Sequence, residues 1–295
     1  MPRYEWEEMR LILDDITTLP TLPTIMVNAI TIAFDPDSDM DDLFKLLRND
    51  PAITVQILRV ANSSRYSPTK EIDSLKTAMV ILGMDEVVSI VTAVSMADTL
   101  QMMEPTESFD LHEFWMHSVM VGEIALGLQA HVKVRKECEL FTAGLLHDIG
   151  SLLMATHLRE DYQMARETAT ASHRPLHLVE QELLGFDHAR IGEYLAQRWN
   201  LPERLQESIR YHHEPEKFAS EHIDTALVFL ADRLAHIHEV GAKEWNGSTE
   251  GGHDPGYAVV VDLWSKVGKT PFDQLNDVAH GIIENAKEKV QLMLF

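Results

Sequence analysis

No stretch of this sequence alternates apolar and polar residues as a half-buried strand must, and helix punctuation recurs along it, so the chain is expected to be all-α. Asp50-Pro51 sets an N-cap ahead of a first-turn proline, with Ile53, Ile57, Val60 and Ala61 on one helical face. Leu19-Pro20-Thr21-Leu22-Pro23 breaks an acidic amphipathic helix over 5–18 before Thr24 opens another. Met40–Leu47 is a short helix, Ser74 starts a segment that stops at Leu82-Gly83, and a long apolar helix runs from Val87 to Leu100. Further helices are expected at roughly 110–131, 136–156, 158–171, 175–184, 187–199, 202–213 and 222–240. A final one, 271–294, should pack back on the body through Leu275, Ala279, Ile283, Ala286 and Val290.

The polar stretch Met102–Asp110, interrupted by Pro105, divides the chain into an N-terminal helical bundle, 1–106, and a second helical domain, 107–295. Gly241–Gly256, with Asn246-Gly247 and Gly251-Gly252, reads as an exposed loop. The formal charge is −22, from 25 basic and 47 acidic residues. That excludes tight binding to a nucleic-acid polymer or an anionic membrane surface unless a local basic patch exists, and none stands out. No apolar run reaches the roughly 18–20 residues that span a bilayer. The acidic start, Met1 to Glu8, does not read as a signal peptide, so a cytoplasmic location is expected.

Chemistry concentrates at Leu145-Leu146-His147-Asp148-Ile149-Gly150, where two strong metal ligands stand side by side in an apolar segment expected to be a buried helix. An imidazole and a carboxylate cost several kcal/mol there unless something satisfies them, and a metal ion would. Cys138 is the single cysteine, which rules out an intrachain disulfide and any cysteine-based zinc site. A metal would have to use carboxylates and the fifteen histidines.

Taken singly, the other candidates have ordinary explanations. Glu113 and His117 lie four apart and share a helical face, but Glu113 is equally placed to be the capping-box partner of Asp110. His188 follows Asp187 at a helix start, where it could turn into a pocket or stay on the surface. His212-His213 falls in the last turn before Pro215, where the helix dipole accounts for one histidine better than for two. Adjacent helical side chains point about 100° apart, so the pair would serve two ions, or one ion and its outer shell. Asp232 sits in the apolar run Thr225–Ala235 and needs a partner that the adjacent Arg233 is badly placed to be.

Together, His117, His147-Asp148, His188, His212-His213 and Asp232 resemble the ordered ligand set of the HD superfamily of metal-dependent hydrolases. The resemblance implies one or two divalent ions, with Asp148 as the bridge when there are two. Glu113, His188 and the double histidine are similar to the HD-GYP branch, whose sites are binuclear or trinuclear. The N-terminal half resembles a narrower family, the HDOD domain, through Leu19-Pro20-Thr21-Leu22-Pro23, Asp50-Pro51-Ala52-Ile53, Arg59-Val60-Ala61-Asn62-Ser63 and Ala78-Met79-Val80-Ile81-Leu82-Gly83, with coverage to about Asp232. Two departures bear on activity. Ser151 stands where the hydrolytic relatives usually carry a lysine for the substrate phosphate, and Pro215-Glu216-Lys217-Phe218 follows Glu214 in place of Gly-Tyr-Pro.

The resemblance implies a bacterial signalling or regulatory protein that keeps a divalent metal site and recognises a partner protein through its N-terminal helices. Two ions are expected, with iron favoured and manganese or zinc suited to the same donors. One alternative is a metal-dependent phosphohydrolase that attacks a cyclic-dinucleotide or other nucleotide phosphodiester with metal-activated water, Arg190 or Arg233 holding the phosphate ester. A second is a diiron oxygenase on the same ligands.

Overall fold

In a computed structural model of the chain, which describes residues 2–16, 22–66, 68–101, 109–133, 140–217, 223–238 and 255–294, every regular element is helical, and one isolated bridge joins Val132 to Gly268. The first half comprises α1 (Trp6–Asp15), α2 (Thr24–Phe34), α3 (Met40–Leu47), α4 (Pro51–Ala61), α5 (Leu75–Leu82) and α6 (Met84–Gln101). The second half begins with α7 (Leu111–Leu128), α8 (Leu140–Leu146), α9 (Ile149–His157), α10 (Arg159–Ser172) and α11 (Leu176–Leu184). It continues through α12 (His188–Arg198), α13 (Glu203–Tyr211), α14 (Ile223–Ile237), α15 (Pro255–Val267) and α16 (Leu275–Leu294).

The caps read from sequence are made by the side chains that predicted them. Asp50 accepts from the Ile53 N–H ahead of α4 and Ser74 from Thr77 ahead of α5, and a reciprocal capping box of Asp39 and Asp42 on α3, which the sequence reading did not anticipate, adds to them. One apolar core runs from Met9 to Val290 and draws on both halves. α6 lacks an amphipathic stripe because it is buried nearly all round, from Val87 to Met96. No single helix among the described residues is long and apolar enough to cross a membrane.

The two halves are fastened at both ends of the chain. Near the N-terminus, Arg3 and Tyr4 bind Asp161 of α10, and the Tyr194 hydroxyl of α12 donates to Asp14 at 2.5 Å. At the other end α16 lies along α7, α4 and α6. There Lys289, 2% exposed, is ion-paired to Glu123 of α7 and, at 3.0 Å, to Glu86 of α6.

Several expectations need correction. The helix expected over 136–156 is broken at His147-Asp148, where Asp148 (φ −100°, ψ 14°) leaves helical geometry and α9 starts afresh with the Ser151 N–H on the Asp148 carbonyl. α13 ends at Tyr211 with His212 as its C-cap, and although His212 keeps helical dihedrals (φ −64°, ψ −17°), the rings of His212 and His213 have centroids 3.9 Å apart and join one group of donors with Asp148 and His188. Pro255 and Gly256, expected in a loop, open α15, whose apolar run follows a proline suited to a first turn. The final helix starts at Leu275, after a 3-10 turn at Phe272–Gln274. Residues 19–21, Cys138, the proposed junction at 102–108 and residues 241–254 lie outside the described residues.

Glycines set how closely the helices around the His-Asp turn approach. A Cβ on Gly144 of α8 would lie 2.6 Å from the Gly122 Cα of α7, so these backbones touch. On Gly150 of α9 it would overlap the His188 carbonyl oxygen and stand 2.7 Å from the Gly192 nitrogen of α12. Gly150→Ala should therefore destabilise the protein by about 1–3 kcal/mol, the cost of overpacking. The gain in helix propensity, at most about 1 kcal/mol, does not offset a backbone clash. The denaturant midpoint reads this directly. A variant at least as stable as the wild type would show that α9 and α12 part freely.

Candidate metal centre

The break at 147–148 aims two donors into one space. His147 follows the last residue of α8, and its Nδ1–H donates to the Gly144 carbonyl at 2.7 Å, which leaves Nε2 facing inward. That Nε2 stands 3.5 Å from Asp148 Oδ2 and 3.7 Å from Asp232 Oδ1. The same device holds His212, whose Nδ1–H donates to the Ile209 carbonyl at 2.7 Å while Nε2 faces Asp148 Oδ1 at 3.3 Å. His188 is the first residue of α12, behind the Asp187 cap, and its Nδ1–H donates to Glu180 Oε2 at 2.6 Å. Glu180, fully buried on α11, also accepts the His188 backbone N–H at 3.0 Å. His188 Nε2 is then 3.2 Å from Asp148 Oδ1 and 2.8 Å from His213 Nε2.

Hydrogen bonds to the far nitrogens thus fix three tautomers so that lone pairs meet carboxylate oxygens. His147 Nε2, His212 Nε2 and Asp148 Oδ1 are buried with no hydrogen-bond partner. Lone pair against lone pair is repulsive, and only a cation between them, a proton or a metal ion, reverses the sign.

The acid–base behaviour expresses the same demand. Burial pushes the Asp148 carboxyl up, but the His147 and His188 imidazoles hold it well below the usual carboxylate range. Burial likewise opposes ionisation of Asp232, and His236 and His117 reverse it, again to well below the usual range. Burial pulls His188 down, yet Glu180 and Asp148 raise it well above an ordinary imidazole, and His147 is raised against burial by Asp148 and Asp232. His213 is lowered well below the usual value by burial and by His212 and His177, and His117 is lowered by burial despite Asp232. The carboxylates stay ionised, and His147 and His188 hold their protons more tightly than ordinary imidazoles. A divalent ion of borderline softness would displace those protons and be bound by the imidazole nitrogens and carboxylate oxygens.

Donor atoms close enough to share an ion fall into three overlapping groups: Asp148 with His188, His212 and His213; His117 with His147 and Asp148; and His117 with Asp232 and His236. The structure therefore brings together His117, His147, Asp148, His188, His212, His213 and Asp232. The carboxylate of Glu113 is not among these groups. Its backbone N–H instead donates to the Asp110 cap of α7 at 3.0 Å. Asp148, with its side chain 24% exposed, and half-buried His213 form the solvent-facing side.

Neither arginine is a member of the cluster. Arg190 stacks on Trp6, 4.2 Å from the ring centroid, and lines a cavity of about 270 Å³ with Arg210 and Lys217. Asp187 and Glu214 line the same cavity and pair with those cations, Lys217 to Glu214 at 2.7 Å and Arg210 to Glu214 at 3.5 Å, so little positive charge is left for an anion. Arg233 lies over the Phe229 ring of its own helix. Ser151 is buried, and its side chain meets the Tyr162 hydroxyl.

Three members of the centre escaped the sequence reading. His236 follows Asp232 by one helical turn, a signal that was there to be used. Glu180 and His177 gave no local signal. His177 stacks on His213 with ring centroids 4.1 Å apart, and burial and His188 push it down to about 4.

The HDOD domain family matches residues 19–215 of the chain. The structure is similar to that of an HDOD domain protein of unknown function from Geobacter sulfurreducens, at 23% identity over 97% of this chain and 96% of the other, with a TM-score of 0.79. It also resembles a candidate phosphohydrolase from Shewanella amazonensis SB2B, 24% identical over 96% of this chain and 98% of that one, with a TM-score of 0.68. An uncharacterised protein of Treponema pallidum (strain Nichols) is 27% identical over 203 residues, 68% of this chain, which spans only 39% of that relative's length.

Proposed function

The chain belongs to the HDOD domain family, and from that premise we propose that it is a regulatory protein whose His/Asp centre holds divalent metal ions and whose state is read by a partner protein. One observation carries the metal reading: Nε2 of His147, His188 and His212, each with Nδ1 committed elsewhere, faces the Asp148 carboxylate at 3.2–3.5 Å. His147 and Asp148 with His117 or Asp232 would hold one ion, and Asp148 with His188, His212 and His213 a second. Iron is the favoured metal. Such ions, when bound, polarise an ester oxygen and deprotonate water near neutral pH. In this chain His147, His188 and His212 would contribute neutral nitrogen donors, and Glu180 would keep His188 in the tautomer that binds.

A regulatory role is favoured over hydrolysis by what surrounds the centre. Ser151 offers a hydroxyl already engaged by Tyr162 where an ammonium would grip phosphate, and the arginines nearby are stacked or paired. Phosphohydrolase activity, suggested by the relative from Shewanella amazonensis, is the second reading. Elemental analysis of the purified protein, with spectra taken in air and after reduction, tests the proposal. Two or more ions per chain are expected, and a protein that takes up no metal under any loading condition overturns it. An iron spectrum that changes reproducibly with dioxygen would favour an oxygenase.

Cyclic di-GMP hydrolysis by the metal-loaded protein should stay below about 1 turnover per second, the lower edge of ordinary enzyme rates. Faster turnover would refute the regulatory reading. Wild-type protein is the clean test, because Ser151→Lys would force an ammonium into a site only 4% exposed.

A further inference from the structure

At the far end of the cluster from His213, α14 turns Asp232 and His236 toward His117 of α7. His117 Nε2 is 3.1 Å and His236 Nε2 3.2 Å from the same oxygen, Asp232 Oδ1, and the two rings lie 4.6 Å apart at 34°. All three donor atoms fall within 4.8 Å of one another. His236 is absent from the ligand set that the sequence resemblance supplied, and it is not grouped with Asp148.

We infer that this end is a further divalent-cation position, with His236 as the ligand that belongs to it alone. The inference rests on the reading of the centre as a metal site and extends it. Its spacing is that of the Asp148 end, where nitrogen-to-oxygen separations are 3.2 and 3.3 Å. Neighbouring ligands on an ion with bonds of about 2.1 Å are roughly 3.0–3.4 Å apart, so both ends have the edge lengths of coordination polyhedra. An imidazole nitrogen has one lone pair, so His117 Nε2 commits to a single ion. His117, Asp232 and His236 make up the outer set, while His147, Asp148 and the shared Asp232 carboxylate, 3.7 Å from His147 Nε2, remain for the inner position. Two nitrogens and a carboxylate suit zinc, iron(II) or manganese. The competing account is a carboxylate that accepts two N–H hydrogen bonds and holds no ion.

Gln at position 236 separates the two accounts, because its amide can still donate to Asp232 but is a poor ligand for these metals. Apo protein would be loaded with excess Zn²⁺, freed of loose metal and counted, wild type beside His236→Gln, with helical content followed by circular dichroism. The expected result is one ion fewer per chain in the variant, at unchanged fold. A wild type that binds zinc beside a variant that binds the same number overturns the inference but leaves the metal centre standing. A wild type that binds none overturns both. Should the variant not fold, Co²⁺-loaded wild type answers instead: strongly shifted ring-proton resonances of His236 are expected, and unshifted ones overturn the assignment.

Discussion

Asp148→Ala should lose metal by more than about 100-fold in affinity while keeping its helices. Changing a partner outside the ligand shell already costs 10- to 100-fold in metal sites, and Asp148 touches the centre from three sides. Its Oδ1 faces His188 and His212, and its Oδ2 faces His147. The fold should survive because the Asp148 side chain does not cap α9, and the helix start relies on the backbone carbonyl of that residue, which alanine retains. Metal content and far-ultraviolet circular dichroism together decide the matter. Full metal content in the variant would remove Asp148 from the centre. Collapse of the helices would instead mean that ion binding and folding are one equilibrium, as in small metal-stapled domains.

Lys289→Met should be the most damaging substitution outside the metal centre, at about 3–5 kcal/mol near pH 7.5, the usual cost of leaving buried charges without their partner. Lys289 is the cation shared by Glu86 and Glu123 where α16 meets both halves, and its ammonium lies 5.2 Å from the Phe141 ring centroid. The loss should depend on pH in a fixed direction. Burial raises the Glu123 pKa, with Lys289 opposing the rise, so removing the lysine sends it further up. A carboxyl whose folded pKa exceeds its unfolded one stabilises the fold at pH below the unfolded value, about 4.3, and that contribution fades as pH rises through the folded value. The variant should therefore be nearest to wild type in acid and furthest from it above neutrality, and Glu123→Gln added to it should restore part of the loss. Chemical denaturation at two pH values tests both points. A variant as stable as the wild type at pH 7.5 would mean that the acids are solvated and that α16 is not anchored there.

The sequence by itself determined the helical class, most helix starts and most of the donors that converge, His236 excepted. Caps such as Asp50-Pro51 and Ser74 act over three or four residues, and those contacts are made in the structure. An imidazole beside a carboxylate in an apolar segment is legible because burying both is costly wherever the chain goes, so His147-Asp148 had to meet partners. The mistakes arose where local periodicity was trusted across a site. A helix drawn through 136–156 and another through His213 would have pointed the histidines along a cylinder, whereas short turns at 147–148 and 212–213 gather them. Tertiary structure alone decided which far nitrogen each histidine commits, because that depends on Gly144, Ile209 and the distant Glu180. It also decided that the Glu113 carboxylate stays outside the donor groups while His236 joins Asp232, and that Lys289 meets Glu86 across 203 positions of sequence. Charge pairing between remote segments leaves no periodic trace in a chain. It is fixed only when the apolar faces of α6, α7 and α16 have packed and the water between them has gone.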